Sequence, residues 1–415
     1  MRIPLIYNLR SLRQRPTTSA ATVLGIALVV VTFVGMLALA SGFRQAMVQT
    51  GRPDNVLILR KGADAEMNSG VSREEASILQ SMPHVARAAD GAPLATSDVY
   101  VVVTMVRDVA SGSQANVPVR GVDLAALQVR DAVRITEGRA FEPGRPEVIV
   151  GKGLAGRFVG VALGDEVELG NGRFTVVGHF EANGGAFESE IWGENEQMMG
   201  VFRGPVFQSV TIRLADATAF DAVKTAIEGD PRLAMEARRE DEFFQGQSEF
   251  LANILKFLAF FVTGIMAIGA VFGAINTMDT MVSARSREIA LLLTLGFRPR
   301  SVMASFLMES VLLSLAGGVL GCLLALPLNG VSTSTTNWQS FSELSFSVQV
   351  TPGVMLQGLA FAAVMGLVGG FLPARHAARK VIDAFVGHRQ LQRLMKTRVK
   401  IVARFGKFIL AFPVS

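Results

Sequence analysis

Cysteine is almost absent from this chain of 415 residues: the only one, Cys322, stands inside an apolar run. One cysteine cannot form an intramolecular disulfide, so each folded part of the chain must be held together by an ordinary apolar core. The stretch from about 42 to 250, roughly 200 residues, is long enough to bury such a core.

Histidine is also scarce, and the four histidines show no metal-binding pattern. They are His84, His179, His376 and His388, and their spacing fits no zinc motif. No nucleophile elbow is present. Gly151-Lys152-Gly153 lacks the earlier glycine and the following Ser or Thr of a phosphate-binding loop, so it indicates an ordinary turn. The sequence predicts neither catalytic residues nor a metal site.

Acidic residues cluster once, at Glu188, Glu190, Glu194 and Glu196. The spacing is not that of an EF-hand, so calcium binding is disfavoured. We interpret the cluster as a solvated loop.

Charge is distributed unevenly along the chain. The stretch from Arg44 to Glu249 holds 21 Lys/Arg and 30 Asp/Glu, whereas the rest holds the other 19 Lys/Arg and five Asp/Glu. The basic part adjoins the longest apolar runs. This arrangement suits anionic lipid headgroups and does not favour nucleic acid as a partner.

Four apolar runs are long enough to span a bilayer: Ala20–Ala40, Leu251–Ile275, Val302–Leu328 and Val354–Leu372. The first is longer than the apolar part of a signal peptide, which disfavours cleavage after Ala40. Lys256 lies near an end of its run, where it can reach the interface. We predict an α-helical membrane protein with four transmembrane helices and a large α+β extracytoplasmic domain.

The short flanks of the runs determine the predicted orientation. The connection between the second and third runs carries Arg285, Arg287, Arg298 and Arg300, whereas residues 329–353 contain no Lys or Arg. Basic flanks favour the cytoplasm. Both termini and the 2–3 connection are therefore predicted to be cytoplasmic in a multi-pass protein. The predicted parts are 1–41 (N-terminus and first helix), 42–250 (outer domain), 251–380 (three-helix permease domain) and 381–415 (tail).

The outer region shows mixed strand and helix signals. Ser72 and Glu75 form a capping box that starts a helix ending near Pro83. A second helix is predicted over Ala219–Glu228, and Asn171-Gly172 predicts a type I′ hairpin turn. A division into two lobes would fall near 125–135. The predicted strands are Asn55–Leu59, Val99–Val106, Val117–Val122, Glu147–Val150, Glu166–Leu169, Phe174–Val177 and Ser209–Leu214.

The stretch from Asn276 to Glu309 predicts a helix that leaves the membrane and turns, which we name the elbow. Leu295-Gly296 fits a helix end and Pro299 the start of a new helix. Charged residues lie opposite Ile289, Leu292 and Leu293. Upstream, Arg239–Lys256 predicts a helix running on into the second span, with an apolar stripe at Phe243, Phe250, Ile254 and Phe257.

The elbow resembles the signature of the MacB/FtsX/LolC-type ABC permease family, as do the order of elements and the segment Glu147–Phe180. The end of the fourth run, Gly369 to Ala374 followed by Ala377-Ala378-Arg379, is also similar. A departure is Val381–Phe385, where the family usually has a proline and a leucine. The matching elbow residues are Asn276, Met281, Arg285, Arg287, Glu288, Ile289, Leu295, Gly296, Glu309, Gly317, Gly318 and Gly321.

The resemblance implies a non-catalytic transporter subunit, with ATP and Mg on a separate dimer of ABC ATPase subunits and no cofactor in this chain. A second permease subunit, the lipid bilayer and a periplasmic adaptor are the other implied partners. By motif, the ATPase-coupling residues would be Arg285, Arg287, Glu288, Ile289 and Gly296. ATP-driven motion would reach the outer domain for export or extraction of a substrate, a mode called mechanotransmission, in a bacterial inner membrane.

Predictions also follow from an acidic residue and three glycines in the third apolar run, and from the basic tail. Glu309 is an ionisable group inside a span and should find a partner; a hydrogen bond to a neighbouring helix is favoured over proton coupling. Gly317, Gly318 and Gly321 would let helices approach closely. Arg393, Lys396, Lys400, Arg404 and Lys407 recur at helical steps and predict a basic amphipathic tail, with a disordered tail as the alternative.

Two other functions remain open from the sequence. One is an FtsX-like regulator of a cell-wall hydrolase, which the large outer domain disfavours. The other is a membrane-anchored receptor or scaffold without energy coupling, which the elbow disfavours.

Overall fold

The structure is a computed structural model, and it describes residues 16–108, 112–202, 204–295 and 297–376. Several predictions fall outside these residues. They concern Gly296, the segment Ala377-Ala378-Arg379, Val381–Phe385, the basic tail, and the basic N-terminal residues Arg2, Arg10, Arg13 and Arg15.

The described α-helices include long apolar helices and short amphipathic ones. They are α1 (Pro16–Thr50), α2 (Arg73–Gln80), α3 (Ala126–Val129), α4 (Asn195–Phe202), α5 (Phe220–Glu228), α6 (Glu240–Ala284), α7 (Ser286–Thr294), α8 (Pro299–Ala325) and α9 (Pro352–His376). In the described part of the chain, four of them (α1, α6, α8 with the turn after it, and α9) are long and apolar enough to cross a membrane. These four contain the four predicted runs.

The chain divides into two compact units. The helical unit comprises the described parts of Met1–Gly35, Ala259–Leu326 and Pro352–Ser415. The sheet unit comprises Met36–Leu258 and Pro327–Thr351.

The sheet unit contains the strands β1 (Asn55–Arg60), β2 (Ala95–Asp108), β3 (Ser113–Val122), β4 (Arg134–Gly138), β5 (Glu147–Gly151), β6 (Glu166–Leu169), β7 (Gly172–Glu181), β8 (Ile191–Glu194), β9 (Ser209–Arg213), β10 (Met235–Arg239), β11 (Ser332–Asn337) and β12 (Ser342–Ser347). In the described residues, the main sheet runs in the order β10-β1-β9-β2-β3-β8-β5-β7-β4, with β6 beside β7. All seven predicted strands, the Ser72 capping box and the helix before Glu228 are confirmed.

Both faces of the sheet are covered, which explains why β1 is a continuous apolar run. Val56 and Ile58 face one core with α2 and α5, whereas Leu57 and Leu59 face the other with Phe43 of α1. Alternate residues of a strand point to opposite faces, so a strand buried on both sides needs apolar residues at every position.

The predicted break near 125–135 is wrong. The first part of β2, Ala95–Asp98, pairs with β9, and the part from Val99 onward pairs with β3. One long strand therefore joins both halves of the sheet. In the sheet order, β1 lies between β10 and β9, and β2 and β3 lie between β9 and β8, so no single point of the chain separates two lobes.

The turn predicted at Asn171-Gly172 lies one residue earlier. Leu169 pairs with Gly172, so the loop is Gly170-Asn171. A type I′ turn needs positive φ at both loop residues, but of these two only Gly170 has it, at 59°. Glycine first is the residue order of a type II′ turn.

The acidic cluster at 188–196 is not a solvated loop. Ile191–Glu194 is strand β8, which lies between β3 and β5 inside the sheet, and Glu190 is buried. The charge misled the prediction, because the arginine that neutralises Glu190 comes from β3, 70 residues earlier.

Residues between the third and fourth apolar helices form a small two-stranded sheet, which the sequence did not indicate. The hairpin β11–β12 belongs to the sheet unit, and Glu343 anchors it by binding Arg107 and Arg157. The backbone N–H of Ser345 also donates a hydrogen bond to the Ser189 hydroxyl oxygen, at 2.8 Å.

Helix α6, which starts at Glu240, confirms the predicted helix that runs on into the second span, and the predicted apolar stripe is only partly buried. Phe243, Phe244 and Leu251 are buried, whereas Phe250 and Phe257 are exposed. The face that packs on the sheet unit is therefore rotated from the predicted stripe.

Candidate functional site

In the elbow, a long helix ends at a break and a short helix follows. Helix α6 ends at Ala284, Arg285 occupies the turn, and α7 starts at Ser286. The backbone N–H of Ile289 donates to the Arg285 carbonyl at 3.0 Å, so helical bonding resumes at once. Pro299 is in the first turn of α8, where its missing N–H costs nothing, as predicted.

Two predicted site residues, one from the elbow and one from α8, contact each other. Nη1 of Arg285 lies 3.2 Å from Oε2 of Glu309, with only 12% and 2% of the two side chains exposed. The sequence placed Arg285 one turn from Glu288, but the structure joins it to a residue 24 positions away. Glu309 thus has the protein partner that an ionisable group between apolar helices requires.

The buried side of the elbow is apolar. Ile289 is buried together with Met281 and Val282 of α6 and Val302 and Phe306 of α8. The predicted apolar role of Ile289 is in keeping with this cluster. The cluster attaches the short helix to both of its neighbours in the helical unit.

The exposed side of the elbow carries Arg287, Glu288 and Leu291. Leu291 is 61% exposed, and Leu295, just after α7, is 65% exposed. The two leucines were not predicted as candidate site residues. The signal was available, because Leu291 stands four residues after Arg287 and three after Glu288, on the same helix face.

The predicted glycines lie where helices approach most closely. A Cβ on Gly317 would lie 2.8 Å from the Val23 carbonyl oxygen, and one on Gly321 equally close to that of Ala27. A Cβ on Gly318 would meet Ala362 of α9 at 2.8 Å. The glycines of α8 therefore permit contact with α1 on one side and α9 on the other.

A polar contact adds to this packing. The Ser310 hydroxyl donates to the Gly366 carbonyl at 2.7 Å, and a Cβ on Gly366 would lie only 2.0 Å from Ser314 Oγ. Small residues on both helices thus bring α8 and α9 into backbone contact.

A second constellation, absent from the sequence predictions, lies within the sheet unit. Arg120 is 1% exposed, and all its N–H groups donate to carboxylates, those of Glu66, Asp98 and Glu190, at 2.7–3.1 Å. Its guanidinium also lies 4.8 Å from the Tyr100 ring centroid. A buried arginine needs this full set of acceptors.

Arg130 extends the same network. It donates to Asp98 at 2.7 Å and to Glu240, at the start of α6, at 3.0 Å. Burial disfavours the charge on Asp98, but the adjacent Arg130 and Arg120 outweigh this and hold its pKa below the usual value. Burial, together with the negative charge of Asp98, raises the pKa of Asp123 to about 6.

A small cavity opens beside this network. Its lining includes Glu66, Tyr100, Arg120 and Glu190, with Ser340 and Ser342 at the hairpin β11–β12. Its volume of about 30 Å³ leaves room for a water molecule or two. A drug-sized ligand would not fit, so we assign the network to the stability of the sheet unit.

Two stretches of the chain match known protein families. Residues 19–230 match the family described as the MacB-like periplasmic core domain, and residues 260–382 match the FtsX-like permease C-terminal family. The chain belongs to the MacB/FtsX-type family of permeases. The FtsX-like match includes every described residue of the elbow from Ala284 to Glu309, and the MacB-like match includes both arginines of the buried network.

Curated relatives in this family are 28–29% identical to the chain over the residues that align. A macrolide export ATP-binding/permease protein MacB 1/2 of Paracoccus denitrificans is 28% identical over 398 residues, which cover 89% of this chain and 56% of that protein. The MacB of Pasteurella multocida is 29% identical over 228 residues, covering 52% of this chain and 34% of that protein. The chain thus spans about half, or less, of the length of these relatives.

Among solved structures, the periplasmic region of MacB from Actinobacillus actinomycetemcomitans matches with 12% identity and a TM-score of 0.36, covering 48% of this chain and 95% of that structure. The membership in the MacB/FtsX-type family rests on the sequence matches alone.

Proposed function

We propose that this chain is the membrane-spanning permease subunit of an ABC transporter. The observation that carries the proposal is the elbow: a short helix between two apolar helices, attached on one side and presenting Arg287, Glu288, Leu291 and Leu295 on the other. A surface that combines fixed charges with exposed leucines suits a protein partner better than water.

ATP binding and hydrolysis are assigned to a separate dimer of ABC ATPase subunits. The matched relatives are named as ATP-binding/permease proteins, and the matched families supply this chain with a periplasmic core domain and a permease segment. ATP and Mg would then bind the partner, and this chain would contribute no catalytic residue. A second permease subunit would complete the assembly.

The proposed topology places the four apolar helices across a bacterial inner membrane. Arg285, Arg287, Arg298 and Arg300 lie in the elbow, and 329–353 lacks Lys and Arg. The positive-inside rule then puts the elbow in the cytoplasm and the sheet unit outside. The proposal includes both termini on the cytoplasmic side.

In this proposal the elbow passes ATP-driven motion to the outer domain, which exports or extracts a substrate. Helix α6 is continuous over 45 residues, from Glu240 in the sheet unit to Ala284 in the elbow. A continuous helix is the simplest element to carry a displacement along that length. The extent of the MacB-like match, residues 19–230, supports a transporter over a regulator of a cell-wall hydrolase.

The proposal is tested by purifying the chain from its native membranes in mild detergent and measuring ATP hydrolysis. We expect a co-purifying ATPase with vanadate-sensitive activity. Changing Arg287 and Glu288 together to Ala should lower the bound ATPase on the order of tenfold, because two interface contacts are removed.

Arg173→Ala provides the control, since this arginine is exposed in the sheet unit and pairs only with the exposed Glu168. It should retain all of the ATPase. A well-folded wild-type preparation that brings down no ATPase would contradict the proposal and favour a receptor or scaffold.

A further inference from the structure

The ion pair between Arg285 and Glu309 faces inward, unlike the exposed charged side chains of the elbow. Nη1 of Arg285 lies 3.2 Å from Oε2 of Glu309, and Glu309 is almost fully buried. By contrast, Arg287, Glu288, Arg298 and Arg300 are exposed.

Most buried residues beside the pair along the chain are apolar, with Ser305 and Ser310 of α8 as polar neighbours. Met281 and Val282 precede Arg285 on α6, Ile289 follows it, and Phe306 lies one turn before Glu309 on α8; all four are buried in one cluster. A charge left alone in such surroundings is strongly disfavoured. The two side chains must therefore remain together in any arrangement that the elbow adopts.

The position of Arg285 gives the pair its consequence. It is the one residue of the break between α6 and α7, so whatever holds it determines where the short helix begins. Glu309 stands in the third turn of α8, counted from Pro299. The pair thus connects the break directly to the next long helix.

We propose that Arg285 and Glu309 form a positioning pair, which couples the elbow to α8 and takes no part in binding the ATPase. The inference rests on the proposed function and refines it, because the motif alone gave Arg285 the same role as Arg287. In the structure the two arginines differ: Arg287 lies on the exposed face, whereas Arg285 points inward and pairs with Glu309. A displacement of α7 would be passed to α8 through this pair.

Charge and shape both matter in such a pair. The guanidinium of Arg285 is planar and always charged, so it keeps its bond to a carboxylate as the helices tilt. Gln at position 309 keeps the shape of the side chain but loses the charge. Exchanging the two residues keeps one charge of each sign, although the longer side chain then starts from α8.

The first measurement is hydrogen–deuterium exchange of the purified full-length chain in detergent, which needs no ATPase. Glu309→Gln should raise amide exchange in residues 282–294 by about 2–30-fold, the range over which single residues change coupling. The exchanged pair, Arg285→Glu with Glu309→Arg, should restore at least part of the protection. Met308→Leu, at an exposed neighbour in α8, is the matched control.

The second measurement is ATPase co-purification with the same variants. Glu309→Gln should retain the ATPase, whereas Leu291→Asp should lose it. If amide exchange is unchanged in Glu309→Gln, the proposed positioning pair is wrong. It is also wrong if Glu309→Gln loses the ATPase to the same degree as Leu291→Asp. If the wild type itself brings down no ATPase, the proposed function fails, and the exchange experiment still decides whether the pair holds the elbow.

Discussion

At the scale of single residues, buried charge is the most consequential feature of the sheet unit. Arg120 and Arg130 contact four buried carboxylates, of Glu66, Asp98, Glu190 and Glu240. The carboxylates outnumber the arginines, and burial raises the pKa of Glu190. Removing either arginine would leave more of the carboxylates without a cationic partner, in a space where water has little access.

We predict that Arg120→Leu lowers the free energy of unfolding by about 3–5 kcal/mol, because it leaves carboxylates buried and unpaired. Thermal unfolding followed by circular dichroism or intrinsic fluorescence measures the effect. The control, Arg173→Leu, breaks an ion pair that is exposed on both sides and should change stability by less than about 1 kcal/mol. Equal melting temperatures for Arg120→Leu and the wild type would contradict the assigned role.

Asp123 predicts a pH dependence of stability. Its pKa is raised to about 6 in the folded state, from 3.8, so the folded protein favours the protonated carboxyl. The stabilising contribution of the protonated Asp123 to the free energy of unfolding is fully present below about pH 4, and it is lost as the pH rises through about 6. Asp123→Asn should therefore gain roughly 1–3 kcal/mol relative to the wild type between pH 4 and pH 7.

Melting temperatures of both proteins at the two pH values measure this difference. Asp90→Asn, at an exposed aspartate, is the control for the general effect of removing a carboxylate. A difference between Asp123→Asn and the wild type that stays the same at pH 4 and pH 7 would show that Asp123 does not titrate in this range.

At the scale of secondary-structure elements, packing in the helical unit depends on glycines of α8. Gly317 and Gly321 stand four residues apart, on one face of the helix, against α1. A Cβ at either position would meet a carbonyl oxygen of α1, which is backbone and cannot move aside like the end of a flexible side chain.

We predict that Gly321→Ala lowers the melting temperature by about 2–8 °C in detergent, since the added methyl group forces α8 away from α1. Gly264→Ala is the matched control: a Cβ at position 264 meets nothing within 4 Å. It should leave stability unchanged or raise it slightly, because Ala favours helix over Gly. A larger loss for Gly264→Ala than for Gly321→Ala would contradict this packing.

The same scale shows why some elements could be predicted and others could not. β1, β5 and β9 are short apolar runs, and Ser72 with Glu75 forms a local cap, so neighbouring residues suffice to predict them. β8 follows directly after Glu190, whose burial depends on Arg120 reaching it from β3. β11 is rich in Ser and Thr and has no apolar alternation. Its partner β12 is held by Leu344 and Phe346, which are buried in the core, and by Glu343, which binds Arg107 and Arg157.

The candidate site follows the same division. Pro299 and the exposed Arg287 and Glu288 could be placed from the sequence, because their roles depend on helix ends and helix faces. The contact between Arg285 and Glu309 could not, because the two residues are 24 positions apart and only tertiary packing brings them together. The exposed Leu291 shares its helix face with the predicted charges, but apolar residues are usually assigned to the buried side.

At the scale of the whole molecule, we propose that the exposed face of the elbow binds an ABC ATPase. Family membership supports a permease, and the geometry names the side chains that would meet the partner. Arg287, Glu288, Leu291 and Leu295 form that face, whereas Ile289, Arg285 and Glu309 hold it from within.

The most direct test is site-specific photo-crosslinking in native membranes, with a photoreactive amino acid at Leu291 and, as control, at Ile268, which is exposed on α6 within an apolar span. The account predicts that position 291 gives an adduct whose mass-spectrometric analysis identifies an ABC ATPase, and that position 268 does not. A stable, membrane-inserted protein that forms no such adduct at Leu291, or forms it equally at Ile268, would contradict the claim that this face of the elbow is where the ATPase binds.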